Sequence, residues 1–332
     1  MAKFIGRQQD VGIARETTRG ALVAPTFWVP KTNFNVEDKA QKARFQGNYG
    51  VLAGGDDALV AQKWAEGDLQ FEAQDKIMGL IFYALFGTVS SASFNSAFKH
   101  TASLANSVQH TTLALFMNDP IGSGETPTKS VAYAMSMINS LELAVELGEL
   151  VKCNVNFIAK PHTDYTRQTA SYASQSLNKF AHHHLRFKVA ANEASLDAAS
   201  KINLQSLTLR IEKNVVRENA LGTVHPVDIL NRMFKISATV KLTYEDRTYR
   251  DYMMNGTKKA VRIQLVNPDV TIGSTNPQLQ IDLPICDFEQ WEPDVKLEDI
   301  AMQEILINAL YDVTNSQLIG ANTFVVNNTT SY

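Results

Sequence analysis

Residues 67–87, GDLQFEAQDKIMGLIFYALFG, constrain the fold more than any other stretch, because they hold the one strongly apolar helix candidate in a sequence that otherwise reads as strands. Leu69, Phe71 and Ala73 alternate with Asp68, Gln70 and Glu72, the two-residue period of a half-buried strand. From Lys76 to Phe86 no charge follows the lysine and apolar residues cover every face. Asp75 suits the positive end of a helix and Gly87 its stop. About eleven residues cannot span a bilayer, so a helix apolar all round must be buried in protein. The expectation is a strand feeding a helix that is pressed onto, or between, β-sheets, with no membrane partner.

Strand patterns recur around this element. Residues 108–117 and 129–138 read as a hairpin across the turn-rich 118–128, NDPIGSGETPT. The clearest alternation is Leu141, Leu143, Val145 and Leu147 against Glu142, Ala144 and Glu146, followed by Val151, Cys153, Val155 and Phe157 against Lys152, Asn154 and Asn156. A loop at 148–150 sets 147 opposite 151, Glu146 opposite Lys152 and 145 opposite 153, apolar against apolar throughout. Phe234, Ile236, Ala238, Val240 and Leu242 alternate with Lys235, Ser237, Thr239 and Lys241, a long strand with one solvated or partner-facing side. Shorter strands fit 185–189, 207–211, 260–266, 279–285 and 304–311, with a short helix at 245–255 stopped by Gly256. The fold class is mainly β: an antiparallel β-sandwich or partial barrel flanked by one buried α-helix, with long loops and terminal arms. One domain, 1–332, comprises an N-terminal arm at 1–30, a long loop at 31–66 with one strand at 31–36, a projecting loop or small insertion at 160–184, and a polar C-terminal tail at 312–332. Residues 88–107 and 213–232 read as exposed connections.

Composition narrows the chemistry. A net charge of −3 and pI near 6.2 give no basic patch for tight nucleic-acid binding. Cys153 and Cys286 stand far apart, which argues against a disulfide framework or zinc site and fits a reduced cytosolic origin; the N-terminus lacks the apolar run of a signal peptide. His182, His183 and His184 form the only dense histidine cluster, but in a strand successive side chains point to opposite faces and cannot converge on one ion. Asp56 and Asp57 after Gly54 and Gly55 lack a phosphate-loop pattern and read as a turn. No G-x-S-x-G occurs, neither cysteine has a histidine beside it, and the sequons at Asn255 and Asn328 mean little without a secretory signal. No catalytic, cofactor-binding or metal-binding residue is assigned. A chain of this kind reads as a structural or interaction protein rather than an enzyme.

The order of features resembles the tail tube (major tail) proteins of long-tailed bacteriophages. VGIARETTRG at 11–20 with WVP at 28–30 is similar to the start of one branch of that family, GDLQF at 67–71 leading into the apolar helix resembles its strand and helix, and NSLEL at 139–143 through 158 resembles its central hairpin. The resemblance implies a virion protein, assembled in the host bacterial cytoplasm, of which six copies close into a ring. Rings stack into a tube through loops and arms, and DNA passes along the bore without specific binding. The implied partners are further copies of the chain and other tail proteins: tape measure, terminator and tail tip. The assembly contacts expected are Phe27 and Trp28 in the arm; Phe45, Tyr49, Asp56 and Asp57 in the long loop; Glu142, Glu146 and Lys152 in the central hairpin; and Lys235 and Lys241 on the long strand. Two other readings fit the strands and loops: a carbohydrate-binding or adhesin-type β-protein, and a hydrolase with scattered catalytic groups.

Overall fold

A computed structural model describes residues 5–47, 49–50, 52, 57–118, 129–295 and 297–332. Its strands are β1 (Asp10–Arg15), β2 (Phe27–Val29), β3 (Lys31–Arg44) and β4 (Ala58–Glu72), followed by helix α1 (Asp75–Phe86). Next come β5 (Gly87–Phe94), β6 (Ala97–Leu104), β7 (Leu113–Asn118), β8 (Lys129–Glu146), β9 (Lys152–Ala159), β10 (Thr163–Thr166), β11 (Leu185–Ala190), β12 (Ser206–Glu212), β13 (Val216–Glu218), β14 (Asp228–Leu230) and β15 (Lys235–Thr243). After helix α2 (Thr248–Asn255) the chain ends with β16 (Lys259–Val266), β17 (Gln278–Asp294), β18 (Met302–Ala309) and β19 (Phe324–Asn327). The fold is mainly β and antiparallel.

Pairing builds a small sheet in the order β2–β1–β7–β8–β10 and a large one in the order β3–β4–β9–β8–β12–β15–β18–β17–β16–β11. Strands β19, β6 and β5 extend from the first residues of β17. Strand β8 belongs to both sheets. It turns between them at a bulge where Met135 takes a φ of 54°, a conformation a non-glycine residue adopts only when its surroundings hold it. The holding group is Glu16: one carboxylate oxygen accepts the Met135 N–H at 2.7 Å, the other the Gly20 N–H and the Thr112 hydroxyl. Burial raises the Glu16 pKa despite these bonds.

Helix α1 packs between the sheets. Ten of its residues are buried, and Ile81 lines one small internal void together with Ile13, Leu69, Leu115, Ile138 and Phe157 from five strands. Gly87, at φ 86°, turns the chain out of the helix. All four terminal carbonyls are satisfied: Tyr83 by the Gly87 N–H, Ala84 by Lys213 Nζ at 2.9 Å, Leu85 by His110 Nδ1 at 3.0 Å, and Phe86 by the Ala105 N–H. Lys213 is fully buried, and that burial holds its amine far below the ordinary lysine value, at about 7.

Several expectations are corrected. Segment 31–66 is not a loop with one short strand but most of the long β3–β4 hairpin, and 88–107 holds the β5–β6 hairpin. The N-terminal segment contributes β1 and β2, with Val11 and Ile13 in the core, and the C-terminal segment contributes the buried β19. Segment 160–184 does not project. It pairs β10 with β8, buries Phe180, and sends Asn178 to the Asp75 carboxylate. The 213–232 connection carries the β13–β14 ribbon. What read as two strands, 129–138 and 141–147, is the single strand β8, while β7 begins only at Leu113.

The register between β8 and β9 also differs: Leu143 faces Cys153 and Ala144 faces Lys152, two residues from the expected pairing. A two-residue shift leaves every side chain on its own face, so alternation alone cannot distinguish the two registers. Leu147 is consequently exposed in the turn, and Lys152 pairs with Glu149 rather than facing Glu146.

Candidate assembly interface

The large sheet presents two chemically opposite faces. One row of opposed residues runs Phe71, Cys153, Leu143, Leu209, Ala238 and Ile307 from β4 to β18, every one buried. The adjacent row, one residue along each strand, runs Gln70, Asn154, Glu142, Arg210, Ser237 and Asn308 and points the other way. The outer face is half-exposed polar surface across six strands.

Acids outnumber bases on that face: Glu66, Asp68, Glu72, Glu142, Glu146, Glu212 and Glu304 stand against Lys152, Arg210, Lys235 and Lys241. The cations are matched by acids close at hand. Lys241 Nζ lies 3.0 Å from Asp294, Arg210 Nε 2.9 Å from Glu212, Lys152 beside Glu149, and Lys235 is directly opposite Glu212 in the pairing. Exposed pairs of this kind stabilise by only about 0–1 kcal/mol each, so their consequence is electrostatic rather than structural. Glu142, Glu146 and Lys152 share a groove of about 710 Å³ with Gln70, Glu72 and Leu150. Five of the expected contact residues, Glu142, Glu146, Lys152, Lys235 and Lys241, thus fall on one surface.

The others lie elsewhere. Phe45 and Tyr49 are 59% and 54% exposed beyond the end of β3, where the Phe45 N–H bonds the Asp57 carbonyl. Asp57 is exposed there too; Asp56 lies outside the described residues. Trp28 is inside the protomer, 5% exposed, its backbone clamped by the Gln175 amide through bonds of 2.7 and 2.9 Å. Phe27 packs against Tyr332, ring centroids 6.0 Å apart. The aromatic pair therefore docks within its own chain. Sequence reasoning missed Arg19, which bonds Asp228, the Ile229 carbonyl and the His110 carbonyl; its partners lie 91 or more positions away, and no local signal marks them.

The histidines are not in a strand. His182–His184 form a single 3-10 turn, which brings His183 and His184 Nε2 to 3.7 and 3.4 Å from Asp269. The geometric objection to convergence is thus removed, but a chemical one takes its place. His184 Nδ1 accepts the Ala181 N–H at 3.1 Å, so in the neutral ring the proton sits on Nε2 and points at Asp269, where a metal would need a lone pair. Burial and then the neighbouring His183 keep His184 below the ordinary histidine pKa.

A mainly β body with a broad polar sheet face and a long exposed hairpin defines a protein organised around surfaces. A family model described as phage tail tube protein matches residues 6–305, and the chain belongs to that family. Membership makes it a structural component of the virion tail. No curated protein matches the chain.

Proposed function

We propose that this chain closes into rings, six copies each, that stack into the tail tube, with the polar face of the large sheet lining the bore through which DNA passes. The observation that carries the reading is the two-sided sheet. One side is buried in the core, and the other is wide, hydrophilic and net acidic, with its cations held beside carboxylates. A conduit must not grip its cargo, and a wall of free Lys and Arg would bind phosphate through counterion release. Sheet edges left largely unpaired among the described residues, such as β3, β5 and the part of β11 not bridged by Ile202, supply the groups that ring closure needs. The exposed end of the β3–β4 hairpin, with Phe45 and Tyr49, makes the contact from ring to ring and to the tail proteins at either end, after assembly in the host cytoplasm. The role is structural, not enzymatic. Sedimentation and negative-stain microscopy of the purified protein across ionic strengths test it: rings and tubes with a central bore are expected, and a monomer at every concentration and salt would overturn it.

A further inference from the structure

Among the described residues, the outer half of the β3–β4 hairpin has no neighbouring strand. Strand β9 pairs with β4 only from Ala65 to Glu72, and beyond it residues 39–44 and 58–64 pair only with each other. A lone two-stranded ribbon is marginal in water. What reaches it is the other two-stranded ribbon. From β13, the Arg217 guanidinium lies 3.6 Å from the centre of the Trp64 ring. Trp64 Nε1 donates to Glu66 at 2.6 Å, and the second Glu66 oxygen accepts Lys39 Nζ at 2.7 Å, so the stack is tied to both strands of the hairpin. The Lys63 N–H donates to the Val224 carbonyl at 2.7 Å, and the Asn219 amide reaches Gln62 at 3.3 Å.

The ribbon is itself anchored in the body. Arg19 Nε and Nη2 donate to Asp228 at 3.1 and 2.5 Å, Nη2 also bonds the Ile229 carbonyl at 2.7 Å, and the Ile229 side chain is buried with Met135, Met137 and Val215 against the bulge of β8. Arg217 Nη1 is buried and has no hydrogen-bond partner among the described residues, which leaves the ring face and the Glu66 charge as what holds the guanidinium.

We propose that the Trp64–Arg217 stack is a brace: through it the β13–β14 ribbon fixes the angle at which the hairpin leaves the body, making Trp64 and Arg217 positioning residues for the contact the hairpin makes with another copy. The assembly part rests on the hairpin being a ring-to-ring contact; the brace does not. The test compares full-length R217Q and R217K with the parent by amide hydrogen exchange, melting temperature and tube yield. In R217Q, residues 39–44 and 58–64 should exchange about 5- to 30-fold faster, the factor expected on losing a partly desolvated cation–ring contact, at an unchanged melting temperature and with fewer tubes. R217K, which keeps the cation, should recover most of both. Unchanged exchange in the outer hairpin of folded R217Q would overturn the brace. Faster exchange with an undiminished tube yield would uphold the brace and overturn the stacking role of the hairpin. Should R217Q fail to fold, W64L removes the ring from the other side and is read in the same way.

Discussion

Helix α1 and the outer half of the β3–β4 hairpin stand at opposite limits of how a segment can be held. In the helix, ten of twelve residues are buried, and three of the four terminal carbonyls have partners from beyond the helix end: Lys213, His110 and Ala105. In the hairpin, Phe45 and Leu59 are largely exposed, and the described side-chain contacts beyond Ala65 come chiefly from one prop at Trp64. A segment fully satisfied within its own chain has nothing left to offer a neighbour. One left exposed on both faces is uneconomical unless something covers it, which is why the hairpin, and not the most apolar element, is the segment proposed for assembly.

The sharpest way to break this comparison is a charge in the helix. Leu80 and Phe82 are 2% and 1% exposed, and an ionised carboxylate in either place has no partner, a cost of several kcal/mol on top of about 1.5–3 kcal/mol of lost apolar burial. Neither L80D nor F82D should yield folded protein. A soluble, cooperatively melting product from either would mean that the core lies elsewhere.

Lys213 should give the next largest effect, and one that depends on pH. Its folded pKa is near 7, against an ordinary value of 10.5, so between those limits the unfolded chain binds a proton that the folded chain has released. Stability contributed by this group therefore rises with pH through that window, at up to about 1.4 kcal/mol per unit, and below about pH 7 the full penalty for burying the charge is present. K213M has no such titration, although it leaves the Ala84 carbonyl uncapped. Melting curves of the two proteins from pH 7 to 10 should diverge in favour of Lys213; a constant difference would show that the amine is not held neutral.

A smaller cost is expected at Gly79. A Cβ there would stand 2.3 Å from the Tyr332 ring, whose hydroxyl donates to the Lys76 carbonyl. G79A should destabilise by about 1–3 kcal/mol through overpacking, against about 1 kcal/mol of helix propensity gained. In a Y332A background the same change should be nearly neutral or stabilising. Equal costs in both backgrounds, measured by urea unfolding, would remove Tyr332 from the helix packing.

What could be read from the sequence follows the same division. Helix α1 was legible because apolar residues on all faces leave few alternatives, and β15 because Ile236 to Leu242 alternate with polar residues over a one-sided burial. Strand β3, KTNFNVEDKAQKAR, was legible only over 31–36, where Phe34 and Val36 pack on the core, and β5, GTVSSASF, not at all, because exposed polar and small residues carry no apolar alternation to detect. The acidic face was half legible: Glu142 and Glu146 mark it, but its matching of cations to acids depends on Lys152 turning to Glu149 and Lys241 to Asp294, which register and a distant strand decide. Glu16 and Arg19 act on residues more than ninety positions away, and Trp28 was placed outward because nothing near it announces the Gln175 clamp.

The least disruptive change to the fold should sharpen the contrast most. Lys39 and Trp64 are directly opposite in the pairing, so a two-residue Asn-Gly turn can join them and replace residues 40–63. Removing 40–57 alone would strand 58–63 without a partner, whereas this cut falls between paired residues and keeps the Trp64–Arg217 stack. The excised stretch contributes no buried side chain to the main core among the described residues, so the melting temperature should stay close to that of the parent. Tube assembly should not survive. Rings without stacks in negative stain are the expected product, because the cut keeps most of the edges proposed for closure: β5, β11 and β3 as far as Lys39. Full-length tubes from this variant would return the hairpin to the status of ornament and move the ring-to-ring contact to another surface.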